Sequence, residues 1–99
     1  MAVGTFGDEC LVLNTGQATV DTTSGGILIV AANGQRRSLV VTNTHATITM
    51  YIGGASGVSS SNGQAVPAGQ SISFNFYIGA VWGKSASSSV TATYAEEAK

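Results

Sequence analysis

Short segments in which apolar and polar residues alternate one by one dominate this chain. Ser71–Phe76 reads SISFNF and places its three apolar residues, Phe76 included, on one side of an extended chain. Thr47–Ile52 and Val90–Tyr94 alternate in the same way. Because successive side chains of a strand point to opposite faces, this pattern predicts strands with one buried and one solvated face.

Two further segments, Ile27–Ala32 and Ser38–Asn43, are apolar on both faces, which favours strands covered on both sides or meeting another subunit. Between the segments lie turn signals: Asn33–Arg36 (NGQR) predicts a tight hairpin and Pro67–Gln70 (PAGQ) predicts a turn. Helical spacing is almost absent. About seven or eight short strands with such turns between them predict an all-β fold, an antiparallel β-sandwich or small barrel.

The length of 99 residues fits one domain, and we predict a single β domain over residues 1–99. We expect residues 1–9 to form either an N-terminal arm that docks on a neighbour or a frayed end. We expect residues 95–99 (AEEAK) to leave the last strand as a charged C-terminal tail. Only 9% of the residues are charged, against roughly 25% in average soluble domains. A surface this poor in charge relies on small polar residues or is covered by assembly, so we expect a homo-oligomer.

The formal net charge of −1 excludes the basic footprint of a nucleic-acid binder and disfavours binding to a membrane surface. Cys10 is the sole cysteine, so it makes no intrachain disulfide, and with the sole histidine, His45, it cannot build a zinc site. The longest apolar run is too short to span a bilayer, and the first ten residues lack the pattern of a secretory signal. These observations predict a soluble protein made in a reducing cytosol.

Two segments imitate cofactor sites but fail on spacing and context. Gly79–Ser85 (GAVWGKS) has three residues between its first glycine and the Gly-Lys pair, one fewer than a phosphate loop, and a strand pattern follows it. Ile52–Gly57 (IGGASG) lacks the helix and the later acidic residue of a dinucleotide site. The acidic residues lie near the chain ends, with no local signature joining them to His45. We predict no enzyme, no cofactor and no metal site.

Candidate partner contacts come from three places in the chain. Phe6 is the isolated aromatic residue of the N-terminal segment. Arg36 and Arg37 are expected to face opposite sides of a strand. Either both are solubilising charges at the end of the hairpin, or one of them forks onto a carboxylate or onto backbone carbonyls, in this subunit or another.

The uncharged stretch Ile52–Gln70 supplies the other two candidates. We expect Val58 to tuck inward and pin this loop, and Asn62 to form a turn with Gly63. An uncharged loop held in this way is a candidate contact surface.

The order of several short words resembles small structural proteins of tailed bacteriophages. A basic-led strand, RRSLVVTN, is followed by a YIG strand, a GVSSSNG loop, a PAGQS turn, the strand AVWGKSAS and a closing VTATYAEE strand. The resemblance covers about two thirds of the chain, over Gln35–Glu97.

This resemblance implies a β-sandwich virion component, foremost a capsid decoration (cement) protein. Such a protein binds the lattice of the major capsid protein or another virion protein, stabilises the phage head and commonly forms a homotrimer. It implies a place on the capsid surface of the virion after synthesis in the host cytoplasm. The alternatives are a head-fibre or tail accessory subunit, or a carbohydrate- or receptor-binding module that stacks sugars on Tyr51, Tyr77 and Trp82.

Overall fold

Eight antiparallel strands make up the protein in a computed structural model that describes residues 11–99. Phe6, Cys10 and the arm predicted over residues 1–9 lie outside the described residues. The strands are β1 (Val12–Val20), β2 (Ile27–Val30), β3 (Arg36–Asn43), β4 (Met50–Gly53), β5 (Gln64–Val66), β6 (Ser71–Asn75), β7 (Val81–Ser85) and β8 (Val90–Ala98). Within residues 11–99 no helix is long and apolar enough to cross a membrane.

The strands form two four-stranded sheets with the orders β1-β8-β3-β6 and β2-β7-β4-β5. The pairing is nested, because β1 pairs with β8, β2 with β7, β3 with β6 and β4 with β5. A chain paired in this way is one long hairpin rolled over itself into two facing sheets, which is a jelly roll. The predicted all-β sandwich of seven or eight strands is confirmed.

The core lies between the sheets and follows the period-two pattern of the sequence. In β3, Leu39 and Val41 are fully buried, whereas Val40 between them is exposed on the outer face. The other strands contribute their inward residues in the same way; the buried apolar cluster comprises Val20, Ile29, Val30, Leu39, Val41, Met50, Ile52, Val66, Val81, Val90 and Ala92.

The turn at Asn33–Arg36 forms, with the Arg36 N–H donating to the Asn33 carbonyl at 3.0 Å, but the predicted hairpin is wrong. β2 pairs with β7, and β3 pairs with β6 and β8, so this turn carries the chain from one sheet to the other. A tight-turn sequence reports only the local change of direction, not the partners of the strands beside it. The predicted turn at Pro67–Gln70 is confirmed, since the Gln70 N–H donates to the Pro67 carbonyl at 3.0 Å.

The charged tail predicted over residues 95–99 is also wrong. β8 continues to Ala98, where it lies opposite Val12 of β1 on one side and Arg36 of β3 on the other. Pairing on both sides holds the acidic end of the chain in the sheet, and it buries Glu96.

We predict that Leu39→Ala destabilises the protein by about 2–5 kcal/mol, because truncating a buried leucine leaves a cavity. Val40→Ala, on the next residue of the same strand, is the matched control and is expected to cost less than about 1 kcal/mol. Urea unfolding followed by circular dichroism measures both. Equal losses for the two variants would contradict the register of β3.

Candidate interaction surfaces

A buried ion pair joins the two central strands of the first sheet. Nε of Arg36 in β3 donates to Oε1 of Glu96 in β8 at 2.6 Å, and the two side chains are 0% and 8% exposed. The other carboxylate oxygen, Oε2 of Glu96, accepts from Nδ2 of Asn14 at 3.1 Å and from Nδ2 of Asn33 at 3.2 Å. Both charges are therefore paired and hydrogen-bonded, as burial requires.

The remaining guanidinium nitrogens of Arg36 bind backbone carbonyls. Nη2 donates to the Ala31 carbonyl at 2.6 Å, and Nη1 donates to those of Tyr77 and Gly79 at 3.2 and 2.7 Å. Of the two alternatives for the arginine pair, the structure shows the fork, made by Arg36 within this chain, so the alternative that both are solubilising charges is wrong. Because Arg36 is buried, it was wrongly predicted as a partner contact. Arg37, on the opposite side of the strand, is exposed.

The hydrogen bonds hold the pKa of Glu96 below its ordinary value. Burial of the carboxylate acts in the other direction, but the bonds from Arg36, Asn33 and Asn14, together with the Arg36 charge, outweigh it. Glu96 therefore stays ionised well into the acidic range while the protein is folded.

The same ion pair fixes the loop between β6 and β7, residues 76–80. Each carbonyl from Tyr77 to Ala80 accepts a hydrogen bond: two from Arg36, one from the Asn33 N–H at 2.9 Å and one from the Tyr77 hydroxyl at 2.7 Å. The Phe76 N–H donates to the Arg37 carbonyl at 2.9 Å. The loop is therefore held at nearly every peptide group.

This rigid loop displays two apolar side chains. Phe76 is 78% exposed and Ile78 is 49% exposed. The inward position predicted for Phe76 is wrong, because its backbone lies in the left-handed region at φ 66° and breaks the alternation of β6. That conformation costs a residue other than glycine about 1–2 kcal/mol, and it is imposed here by the bonds that hold the loop.

An apolar pocket of about 340 Å³ opens beside this loop, between the two sheets. Its walls include Ile52 and Val81 of the second sheet and Ile72 and Phe74 of β6, and Gln64 of β5 lies at its exposed side. β5 has only three residues against the five of β6, so the inner face of β6 is incompletely covered. Ile72 and Phe74 are accordingly half-buried, whereas the inward residues of β3 are fully buried.

The edge of the first sheet is the second distinctive surface. β1 is nine residues long, contains no charged residue or proline, and pairs with β8 in unbroken register. Leu11, Val12 and Leu13 at its start are 40%, 56% and 65% exposed. Edge strands are normally protected by shortness, charge, proline, a bulge or a covering segment, and within residues 11–99 β1 has none of these protections.

The other edge strands are shorter than β1. β2, β5 and β6 have four, three and five residues, and the pairing of β2 contains a register shift. The outer face beside β1 also carries few charges. Across the four strands these are Arg37 and Glu97, and the other residues of this face are Leu13, Thr15, Gln17, Thr19, Thr91, Thr93, Ala95, Ser38, Val40, Thr42, Ser71, Ser73 and Asn75.

The loop between β4 and β5, residues 54–63, is folded onto its own domain. Val58 is 4% exposed and packs against Gly26 and Gly63. A Cβ added at either glycine would come within 2.9 Å of a Val58 methyl group. Asn62 is exposed; its side chain accepts from the Ser59 N–H at 2.7 Å and donates to the Gly57 carbonyl at 3.2 Å. The expected inward position of Val58 is confirmed. The prediction of Val58 as a partner contact is therefore wrong. Asn62 lies on the surface and holds the loop through its own hydrogen bonds.

Sequence reasoning missed the exposed pair Phe76 and Ile78 and the exposed start of β1. A signal for the first was present, because Phe74–Ile78 has four apolar residues in five, more than one face of a strand end buries.

Among residues 11–99, no group of three or more His, Asp or Glu is placed to hold a metal ion. No protein-family model matches the chain, and a search of curated proteins also found no match.

We predict that Glu96→Gln destabilises the protein by about 3–5 kcal/mol at neutral pH, because Arg36 remains buried without a countercharge. Folding lowers the pKa of Glu96. The contribution of its ionised carboxylate to the free energy of unfolding is therefore fully present above the pKa that Glu96 has in the unfolded chain, about 4.3. It is lost as the pH falls through the lower, folded value. Denaturant unfolding at a series of pH values measures this dependence.

Glu97→Gln is the matched control, because Glu97 is the next residue of β8, is exposed and hydrogen-bonds only the Ser38 hydroxyl, at 2.8 Å. We expect it to change the free energy of unfolding by about 0.5 kcal/mol or less. Identical acid sensitivity in the wild type and Glu96→Gln would contradict the role of the pair.

Proposed function

We propose that the chain is a virion structural protein, a capsid decoration (cement) protein that binds the head lattice of a bacteriophage and stabilises it. It acts without a cofactor, and its partners are the major capsid protein or another virion protein and further copies of itself in a homotrimer. Its place is the capsid surface, reached after synthesis in the host cytoplasm.

The unprotected edge of β1 carries this proposal. A nine-residue edge with exposed leucines invites pairing with any available strand, so a chain that stays dispersed needs a dedicated partner for it. Adding a strand to such an edge gives backbone hydrogen bonds, and the exposed side chains give specificity. A lattice presents the same partner segment many times, so weak contacts of this kind add up to tight binding.

Two further observations support an assembly role. The outer face of the first sheet carries two charges, Arg37 and Glu97, in fifteen residues, which is suited to being covered rather than solvated. Jelly rolls occur in viral capsid and lectin domains, and this analogy of fold agrees with the resemblance in the sequence. The analogy alone does not assign a function.

Leu13→Lys is expected to abolish binding to phage heads that lack the protein, measured by cosedimentation with heads of the phage that encodes it. Lysine protects a strand edge, and at this position it faces Glu97 across the β1–β8 pair, so the fold is retained. Leu28→Lys is the matched control: Leu28 is 42% exposed on an edge strand of the other sheet. Wild-type chain that stays in the supernatant, or equal loss in both variants, would contradict the proposal.

A further inference from the structure

We infer that Phe76 of one copy of the chain occupies the inter-sheet pocket of a second copy, which makes this contact the self-association site. The inference deepens the proposed function, since it names the contact that closes the proposed homotrimer. The inference rests on two features of the same chain: the exposed Phe76 ring, which we call the knob, and the unfilled apolar pocket between the sheets.

The knob, Phe76, lies on a rigid loop with its side chain exposed. Phe76 is 78% exposed although its loop is fixed by hydrogen bonds from Arg36, Asn33 and Tyr77. A side chain on a rigid backbone loses little freedom on docking, so more of its contact energy remains for affinity. Buried aromatic anchors of this kind dominate the energetics of protein interfaces.

The pocket matches the knob in size and chemistry. A cavity of roughly 150 Å³ accommodates one benzene ring, so about 340 Å³ accommodates the Phe76 ring with space for Ile78 beside it. The Phe74 and Tyr77 rings at the pocket, 5.7 Å apart with a 42° tilt, offer an aromatic edge and face to a third ring.

A second copy is the occupant that the geometry favours. Phe76 does not fill the pocket of its own chain, because its left-handed backbone turns it outward while its neighbours Phe74 and Tyr77 line the cavity. Knob and pocket therefore lie side by side on one end of the molecule. When the Phe76 ring of each copy enters the pocket of the next copy, the contact is heterologous, and such contacts form a closed ring when the rotation between copies closes.

The test is light scattering of the purified full chain and two variants. Phe76→Asn removes the ring but keeps a residue that tolerates positive φ, so folding is preserved. Gln64→Glu keeps the shape of an exposed side chain but adds a charge at the pocket, which opposes burial of an apolar ring there. We expect three chain masses for the wild type and one chain mass for each variant alone.

A mixture of the two variants gives the decisive result. Phe76→Asn retains the pocket and Gln64→Glu retains the ring, so together they form one intact contact, and we expect a species of two chain masses. Leu13→Lys, which alters the β1 edge, is expected to leave self-association unchanged.

The possible failures are distinguishable. A wild-type oligomer that persists in Phe76→Asn overturns the knob-and-pocket contact and leaves the homotrimer standing, and a mixture that stays at one chain mass also overturns the contact. A wild type at two chain masses that dissociates in Phe76→Asn supports the contact but overturns the trimer. A wild type at one chain mass overturns both, and cosedimentation with phage heads still tests the capsid role separately.

Discussion

The buried pair of Arg36 and Glu96 organises one whole end of the sandwich. It joins the two central strands of the first sheet, and through the bonds to Asn14 and Asn33 it reaches β1 and the turn between the sheets. The free guanidinium nitrogens hold the loop that displays Phe76. Because an isolated charge at this depth is strongly unfavourable, these elements have to be in place together.

The nested pairing of the jelly roll explains where the open surfaces lie. β1 pairs with β8 on one side alone, so among the described residues β1 is a free edge of the first sheet. The short β5 leaves the inner face of β6 uncovered at the opposite edge, which creates the pocket. Both features are costly for an isolated monomer and useful in an assembly, and the low charge of the outer sheet face agrees with that interpretation.

Much of the fold was predictable because strand burial is a local pattern. Alternation placed Val90 and Ala92 in one strand, and a run of apolar residues on both faces placed Leu39 and Val41 in another; the structure buries all four. The features that the sequence left open or predicted wrongly depend on distant partners. The turn after β2 crosses between sheets, Arg36 meets a carboxylate 60 positions later, and Phe76 is turned outward by bonds from β3. The crossing between sheets and the partner of Arg36 have no signature within a short window of sequence, and the apolar excess of Phe74–Ile78 indicates that a side chain is left exposed without indicating which one.

The most direct test of the proposed assembly role is an electron cryomicroscopy reconstruction of the virion proposed to carry this protein, at a resolution that separates strands. The account predicts a jelly roll on the outer surface of the head, with the free edge of β1 paired to a strand of a neighbouring virion protein. A head surface without this domain, or a bound domain whose β1 edge faces solvent, would contradict it.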